Sequence, residues 1–217
     1  MIMPLKFPES GLYAITDTGQ RTPEQLESAV VAAIKGGVRV VQFRDKSMNE
    51  PMRLDTALRL LRVCRDQHIP LIINDDIALA VQVGADGVHL GRDDADIEAA
   101  LGLLGRDAII GISCYDSLSL ARQAEQQGAS YVAFGRFYSS ASKPAAGQAH
   151  LQTLVEARRQ LSVPIVAIGG ITAANGKSLL DAGANVLAVI NSLFAGSDQQ
   201  QAARQFQPLF QRHVKPS

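Results

Sequence analysis

Short apolar runs alternate along the chain with longer amphipathic segments. Eight runs rich in β-branched and aromatic residues recur at intervals, at residues 12–15, 38–43, 71–73, 88–90, 109–112, 131–134, 165–168 and 186–190. Runs this short, with turn residues behind them, are typical of fully buried strands. The segments between them repeat apolar side chains every three or four positions, which predicts helices, and residues 199–210 are expected to close the chain as one helix.

This alternation of eight strands with helices predicts an α/β protein. Two architectures fit the pattern, a closed (β/α)8 TIM barrel of eight parallel strands and an open doubly wound sheet. The regular count and the short connections favour the barrel, although 217 residues is compact against the roughly 250 that are typical. We therefore expect a single barrel domain over residues 1–217, with residues 1–10 as a short N-terminal extension.

Acidic and amide side chains follow two neighbouring strands of the predicted barrel. They stand directly behind the third and fourth runs, and they are Asn74, Asp75, Asp76, Asp93 and Asp94. A short helix between these two strands makes a βαβ unit, so the strands lie parallel and adjacent. Carboxylates at both strand ends then face a common space, which is costly unless a cation joins them. Because all of these donors are oxygens, the pattern indicates a hard cation such as Mg²⁺.

Helix capping is the simpler interpretation of each of these residues taken alone. Asp76 stands directly before the predicted helix 77–83, and one of Asp93 and Asp94 is a candidate cap for the following helix. Upstream, the stretch from Thr22 to Gln25 carries a capping box with proline at the first helical position. Capping does not readily explain five such side chains at two adjacent strand ends.

Polar residues also follow the other strands, at the end where barrels of this kind carry their active sites. The polar residues at or behind the strand ends are, in chain order, Gln42, Arg44, Asp45, Lys46, Asn74, Asp75, His89, Ser113, Lys143, Asn191 and Ser192, and the glycines Gly169 and Gly170 follow the seventh strand. Cations and anions gathered at one end of a barrel indicate a site for a polyanion and a metal ion. His89 stands inside a strand, and we expect it to be a packed or capping residue rather than a catalytic one.

Composition narrows the classes of partner. Lys and Arg together number 21, as do Asp and Glu, so the formal net charge is +0, which argues against nucleic acid or an anionic membrane as the main partner. The sequence has no apolar run near the roughly 18 residues of a membrane helix, and its start lacks the apolar region of a secretory signal. Cys64 and Cys114 have no metal-ligand spacing and indicate free thiols in a reducing, cytoplasmic setting. Assembly into a homo-oligomer stays open.

Several motifs resemble those of the thiamine-phosphate synthase family, over nearly the whole chain. They are GLYAITD (11–17), VQFRDK (41–46), INDD (73–76), GADGVHLGRDD (84–94), GIS (111–113), VAFGRFYSSASK (132–143), VAIGGI (166–171) and GANVLAVIN (183–191). INDD together with GADGVHLG is specific to the family. GADG or AIGGI alone occurs in many phosphate-binding barrels.

The resemblance implies a transferase that joins a hydroxymethylpyrimidine diphosphate to a thiazole phosphate, giving thiamine phosphate and pyrophosphate with Mg²⁺ as cofactor. It assigns to the pyrimidine diphosphate Gln42, Phe43, Arg44, Asp45, Lys46, Asn74, Ser113 and Lys143. It assigns to the thiazole phosphate Ser140, Ala141, Ser142, Gly170, Ile190 and Asn191. The implied metal ligands are Asp75 and Asp94, and the implied catalytic residues are Arg44, Lys46, Ser113 and Lys143.

The chain departs from the family pattern at two places. The loop that usually reads Thr-x-Thr-Lys is here Ser140, Ala141, Ser142 and Lys143, which keeps both hydroxyls, so we expect its role to be kept. The last strand usually ends in Ser where Asn191 stands. An asparagine amide can still donate to a phosphate.

Other functions fit parts of the pattern. A thiazole tautomerase or a regulator on the same barrel would not need Asp75, Asp94 and Lys143 together, and all three are present. A metal-independent epimerase or aldolase needs a pair of bases or a Schiff-base lysine facing the barrel, and the sequence offers no convincing one. A non-catalytic binder of phosphorylated ligands stays open. The pattern favours the transferase.

Overall fold

The computed structural model describes residues 4–16, 19, 21–45, 47–91, 96–139 and 148–211. Its centre is a closed barrel in which every strand pairs in parallel with its neighbours in chain order. The strands are β1 Gly11–Ile15, β2 Val38–Phe43, β3 Leu71–Asn74, β4 Gly87–Leu90, β5 Ile109–Tyr115, β6 Tyr131–Gly135, β7 Ile165–Ile168 and β8 Val186–Val189. The predicted parallel eight-stranded (β/α)8 barrel is therefore confirmed, and the open sheet is excluded.

The helices alternate with the strands and surround them. They are α1 Pro23–Lys35, α2 Glu50–Asp66, α3 Ile77–Val83, α4 Ile97–Leu104, α5 Leu118–Gln126, α6 Leu151–Gln160, α7 Gly176–Ala182, α8 Asn191–Phe194, α9 Gln199–Arg204 and α10 Gln207–Phe210. The single helix expected over residues 199–210 is wrong, since two short helices occupy that stretch. Pro208 explains the break, because a proline in a helix interior lacks the N–H donor and its ring clashes with the carbonyl four residues earlier.

Side-chain caps fix the starts of several helices. Thr22 and Gln25 form the predicted capping box at α1, each side chain accepting from the other's backbone N–H at 3.3 and 3.0 Å. Asp76 caps α3 as predicted, with its carboxylate accepting from the Leu79 N–H at 2.8 Å. The connection from β3 through α3 to β4 is the predicted parallel βαβ unit, in which Asn74 pairs with His89.

The cap of α4 differs from the prediction. The N-cap of α4 is Asp96, whose carboxylate accepts a hydrogen bond from the backbone N–H of Ala99 at 2.8 Å. The prediction failed because the helix begins later than the acidic pair suggested. Asp93 and Asp94 themselves lie outside the described residues. Capping of α4 therefore no longer accounts for those two carboxylates.

Apolar side chains form two layers, one between the strands and the helices and one inside the barrel. The inner layer consists of Phe7, Tyr13, Ile15, Val40, Ile72, Ile109, Tyr131, Ala133, Val166, Val186 and Ala188. Phe7 stacks on Tyr131 with ring centroids 3.8 Å apart and meets the edge of Tyr13 at 5.7 Å. Part of the expected N-terminal extension therefore belongs to the core. Among the described residues, no helix combines the length and the apolar character needed to cross a membrane.

Glycine at position 111 makes room for one of these inner rings. A Cβ atom added at Gly111 would lie 2.0 Å from Cζ and 2.3 Å from the hydroxyl oxygen of Tyr131. Non-bonded carbon atoms pack at about 3.5–4.0 Å. The position of the Tyr131 ring therefore depends on the missing side chain of its neighbour on β5.

We expect Gly111→Ala to lower the free energy of unfolding by about 1–3 kcal/mol, because the added methyl overpacks the barrel interior. Urea denaturation measures the change. Gly102→Ala is the matched control: Gly102 lies in α4, where an added Cβ meets no neighbour within 4 Å, and alanine should raise stability by up to about 1 kcal/mol. Equal midpoints for the two variants would contradict the packing argument.

Candidate active site

A cavity of about 450 Å³ opens at the C-terminal end of the barrel. Its walls come from the strand ends and the loops behind them. They include Gln42, Arg44, Asn74, Asp75, His89, Gly91, Ser113, Tyr115, Gly135, Arg136, Ser139, Gly169, Gly170, Ile190, Asn191 and Ser192. The sequence analysis predicted the polar residues at this end of the barrel. Residues at the ends of most strands line this one cavity.

The predicted site residues divide into three groups. Those that line the cavity are Gln42, Arg44, Asn74, Asp75, Ser113, Gly170, Ile190 and Asn191. Those outside the described residues are Lys46, Asp94, Ser140, Ala141, Ser142 and Lys143. Phe43 and Asp45 are described but do not form its walls.

Strand alternation explains the position of Phe43, and a turn after β2 explains that of Asp45. Successive side chains of a strand point to opposite faces, so Gln42 and Arg44 face inward while Phe43 faces the helices. The Phe43 ring is 2% exposed and belongs to the outer apolar layer. The Asp45 carboxylate accepts from the backbone N–H groups of Ser47 and Met48, both at 3.1 Å. It shapes the turn after β2.

Asp75 presents an exposed carboxylate at the mouth of the cavity. Its Oδ2 accepts a hydrogen bond from Asn74 Nδ2 at 2.6 Å, and its backbone N–H donates to the carbonyl of His89 at 2.9 Å. Its φ is +61°, a left-handed conformation that it shares with Tyr115 at +57°, another wall residue. Strained backbone of this kind costs about 1–3 kcal/mol per residue and clusters at functional sites.

Five polar side chains cross the barrel interior at the floor of the cavity, and we call them the inner hydrogen-bond chain. Gln42 Nε2 donates to the Tyr13 hydroxyl at 2.7 Å, and the hydroxyls of Tyr13 and Tyr131 are 2.8 Å apart. The Tyr131 hydroxyl is 2.9 Å from His89 Nδ1, and His89 Nε2 is 2.9 Å from Ser113 Oγ. Each member comes from a different strand, so the network ties five strands together.

Sequence reasoning missed Tyr13 and Tyr131 as parts of the site. The available signal was chemical, because a tyrosine inside a buried strand needs a partner for its hydroxyl. His89 packs inside the barrel, as expected, but it also lines the cavity and has both ring nitrogens hydrogen-bonded. Burial raises the pKa of Tyr13 and of Tyr131 above the ordinary range for a phenol, so both hydroxyls keep their protons at neutral pH.

Sequence reasoning also missed Arg136, which follows β6 and lines the cavity. In a closed barrel of eight strands, β6 lies four places from β2 in either direction, so Arg136 and Arg44 stand on opposite walls. Arg44 is held at its backbone by Thr16, whose hydroxyl accepts its N–H at 2.9 Å. Within the described part of the chain, the cavity thus has an arginine on each of two facing sides.

The wall around Arg136 is built from close backbone contacts. A Cβ at Gly169 would lie 2.3 Å from the Cβ of Arg136, and one at Gly170 would lie 2.5 Å from the carbonyl oxygen of Ser139. The φ angles of the two glycines are +104° and +63°, which glycine adopts at no steric cost. The missing side chains let the loop after β6 pack closely on both glycines. The backbone of Gly169 and Gly170 lines the cavity, as does Asn191 at the start of α8.

Comparison with known proteins agrees with this architecture. The sequence model described as "Thiamine monophosphate synthase" matches residues 12–193. The thiamine-phosphate synthase of Thiobacillus denitrificans is 51% identical over 206 residues, which are 94% of this chain and 96% of that protein. That of Methylococcus capsulatus is 48% identical over 208 residues, 96% of this chain and 92% of that protein.

A solved structure is also similar over nearly the whole chain. The thiamine phosphate pyrophosphorylase from Pyrococcus furiosus has a TM-score of 0.83 and 30% identity, covering 93% of this chain and 96% of that one. Fold, cavity and relatives together define a transferase of thiamine biosynthesis. The chain belongs to the thiamine monophosphate synthase family, which confirms the family resemblance and the enzyme class predicted from the motifs.

Proposed function

We propose that this enzyme condenses a hydroxymethylpyrimidine diphosphate with a thiazole phosphate, giving thiamine phosphate and pyrophosphate. The observation that carries the proposal is the pair of arginines, Arg44 and Arg136, on opposite walls of one cavity. Two phosphorylated substrates that react with each other need two separate cationic positions on either side of a shared space. Arginine suits both, since its planar guanidinium binds phosphate oxygens in pairs.

The diphosphate would lie on the wall formed by β2, β3 and β5. Arg44, Asn74 and Ser113 line the cavity there and supply N–H and O–H donors. Lys46 and Lys143, which lie outside the described residues, would add positive charge in the proposal. The pyrimidine ring would then point toward the barrel interior, where Gln42 is the buried amide.

The donor set on this wall fits a hard cation. Asp75 and Asn74 offer oxygen atoms at the cavity mouth, as Mg²⁺ prefers, although the described residues hold no cluster of three or more His, Cys, Asp or Glu side chains able to bind a metal. We propose Asp75 and Asp94 as the protein ligands. A bound Mg²⁺ would offset the negative charge that develops on the departing diphosphate.

The thiazole phosphate would lie on the opposite wall. Barrel enzymes frequently bind phosphate at the loops after strands seven and eight, and here those loops present the backbone of Gly169 and Gly170 and the side chain of Asn191. Arg136 adds the cation. Ser140, Ala141 and Ser142 would complete this side in the proposal, and Ile190 would contact the ligand from the end of β8.

The reaction would be a dissociative substitution. The bond from the pyrimidine methylene carbon to the diphosphate oxygen breaks first, and its electron pair leaves with pyrophosphate. The ring amino group stabilises the resulting cation, and the thiazole nitrogen then forms the new C–N bond with its own lone pair. Because no proton has to be removed, the chain needs no general base and contributes orientation and electrostatic complementarity instead.

We expect pyrophosphate release when both phosphorylated precursors are mixed with the enzyme and Mg²⁺, and none with EDTA. Asp75→Asn should lower the rate by about 10²-fold or more, as removal of an electrostatic transition-state contact does in other enzymes. Asp107→Asn, at an exposed turn before β5, is the control and should keep the wild-type rate. Release without a divalent ion, or normal turnover by Asp75→Asn, would reject the metal assignment. A tautomerase or a regulator would release no pyrophosphate at all.

Substitutions of the two arginines should affect the KM values of different substrates. Arg136→Gln is expected to raise KM for the thiazole phosphate by about tenfold or more, since a hydrogen bond to a charged group contributes about 1.5–3 kcal/mol. Its KM for the pyrimidine diphosphate should stay within about twofold. Arg44→Gln should show the reverse pattern. If Arg136→Gln changed only the KM for the diphosphate, or both KM values equally, the assignment of the two walls would be wrong.

A further inference from the structure

The inner hydrogen-bond chain begins and ends at the cavity. Gln42 on β2 and Ser113 on β5 both line the cavity. Tyr13 also lines it, but Tyr13 and Tyr131 are only 1% and 0% exposed. A hydroxyl buried to this degree has to place its hydrogen on an acceptor inside the protein, because an unpaired buried polar group costs about 1–3 kcal/mol. The hydrogens along the chain are therefore ordered rather than free to rotate.

The amide of Gln42 sets the direction of that order. Its Nε2 can only donate, and it donates to the Tyr13 hydroxyl at 2.7 Å. The hydrogen of Tyr13 then goes to Tyr131, 2.8 Å away. The hydrogen of Tyr131 in turn goes to His89 Nδ1, 2.9 Å away, and this nitrogen has to be unprotonated in order to accept it.

The imidazole of His89 determines whether the Ser113 hydroxyl donates or accepts toward it. A neutral imidazole carries one hydrogen, so with Nδ1 accepting, the hydrogen is on Nε2 and points to Ser113 Oγ at 2.9 Å. The serine oxygen is then an acceptor toward His89. Its own hydrogen stays available on the side that faces the cavity.

We propose that the inner hydrogen-bond chain holds His89 as the Nε2–H tautomer and thereby presents the Ser113 hydroxyl to the cavity as a donor. Tyr13, Tyr131 and His89 are in this view positioning residues that act through Ser113. The proposal deepens the proposed function, and rests on it, in one respect: a serine that donates suits an anionic diphosphate oxygen. The direction in which each hydrogen of the inner hydrogen-bond chain points follows from the geometry of that network alone.

The opposite order defines what the experiment has to distinguish. With the Gln42 amide turned over, its oxygen would accept from Tyr13, and Tyr13 would accept from Tyr131. His89 would then carry its hydrogen on Nδ1, and Ser113 would donate to His89 instead of to the cavity. The two orders use the same number of hydrogen bonds, so the tautomer of His89 separates them.

Long-range ¹H–¹⁵N correlation NMR of the histidine side chains in the full, ligand-free chain tests the proposal. The sequence contains four histidines, and the signals lost in His89→Asn identify those of His89. We expect a single neutral imidazole with a pyrrole-type ¹⁵N shift at Nε2 and a pyridine-type shift at Nδ1. An Nδ1–H pattern, or an imidazolium pattern at neutral pH, would overturn the proposal.

Tyr131→Phe tests whether the inner hydrogen-bond chain selects the tautomer of His89. The ring that stacks on Phe7 is retained, while the hydroxyl that donates to Nδ1 is lost, so the two ¹⁵N shifts of His89 should move toward each other as both tautomers become populated. Tyr138→Phe is the control, because its hydroxyl bonds Ser178 at 2.9 Å, away from the chain, and it should leave the His89 shifts unchanged.

An unchanged Nε2–H pattern in Tyr131→Phe would refute a positioning role for that hydroxyl. If this variant failed to fold, the wild-type spectrum alone would still decide the proton order. Neither measurement contains a substrate. A failure of the transferase assay would therefore leave the result standing, and an unexpected tautomer would leave the transferase proposal intact.

Discussion

The inward and outward alternation of side chains on eight closed strands is the constraint on which the rest of this molecule depends. Closure gives every strand one face toward the barrel axis and one toward the helices. Inside, the composition changes along the axis, from the stacked rings of Phe7 and Tyr131, through the hydroxyls of the inner hydrogen-bond chain, to the charged groups of Arg44 and Asp75 at the mouth. Along the barrel axis, an apolar layer is thus followed by a hydrogen-bonded layer and then by a charged layer at the mouth of the cavity.

The middle layer explains how a polar floor can lie inside an apolar barrel. Tyr13 and Tyr131 bury their rings among aliphatic side chains and satisfy their hydroxyls with each other, so the network avoids the large cost of unpaired buried polar atoms. Gly111 belongs to the same solution, since only a residue without a side chain leaves space for the Tyr131 ring. The side chains at the floor of the cavity are thus held by hydrogen bonds to one another.

Local sequence patterns predicted the features that depend on local periodicity. They did not predict contacts between residues that are distant in the chain. Period-two alternation places Gln42 and Arg44 on the same face of β2, and both line the cavity. The spacing of the apolar runs predicted the barrel. The contact between Tyr13 and Tyr131 joins residues 118 positions apart, and no local pattern contains that information. Arg136 was missed for a related reason, because its position opposite Arg44 follows from barrel closure and not from its neighbours in the chain.

Opposite walls also answer an electrostatic difficulty of the proposed reaction. Two phosphorylated molecules repel each other, and the repulsion between like charges grows as they approach. With Arg44 and Arg136 facing each other across the cavity, each anion can be bound at the rim while the uncharged rings extend toward the space between them. The reacting atoms would then meet near the axis, above the hydroxyls of the barrel interior, where the anionic groups are farthest from one another. In the proposed reaction, one geometry would thus keep the charged groups apart and bring the rings together.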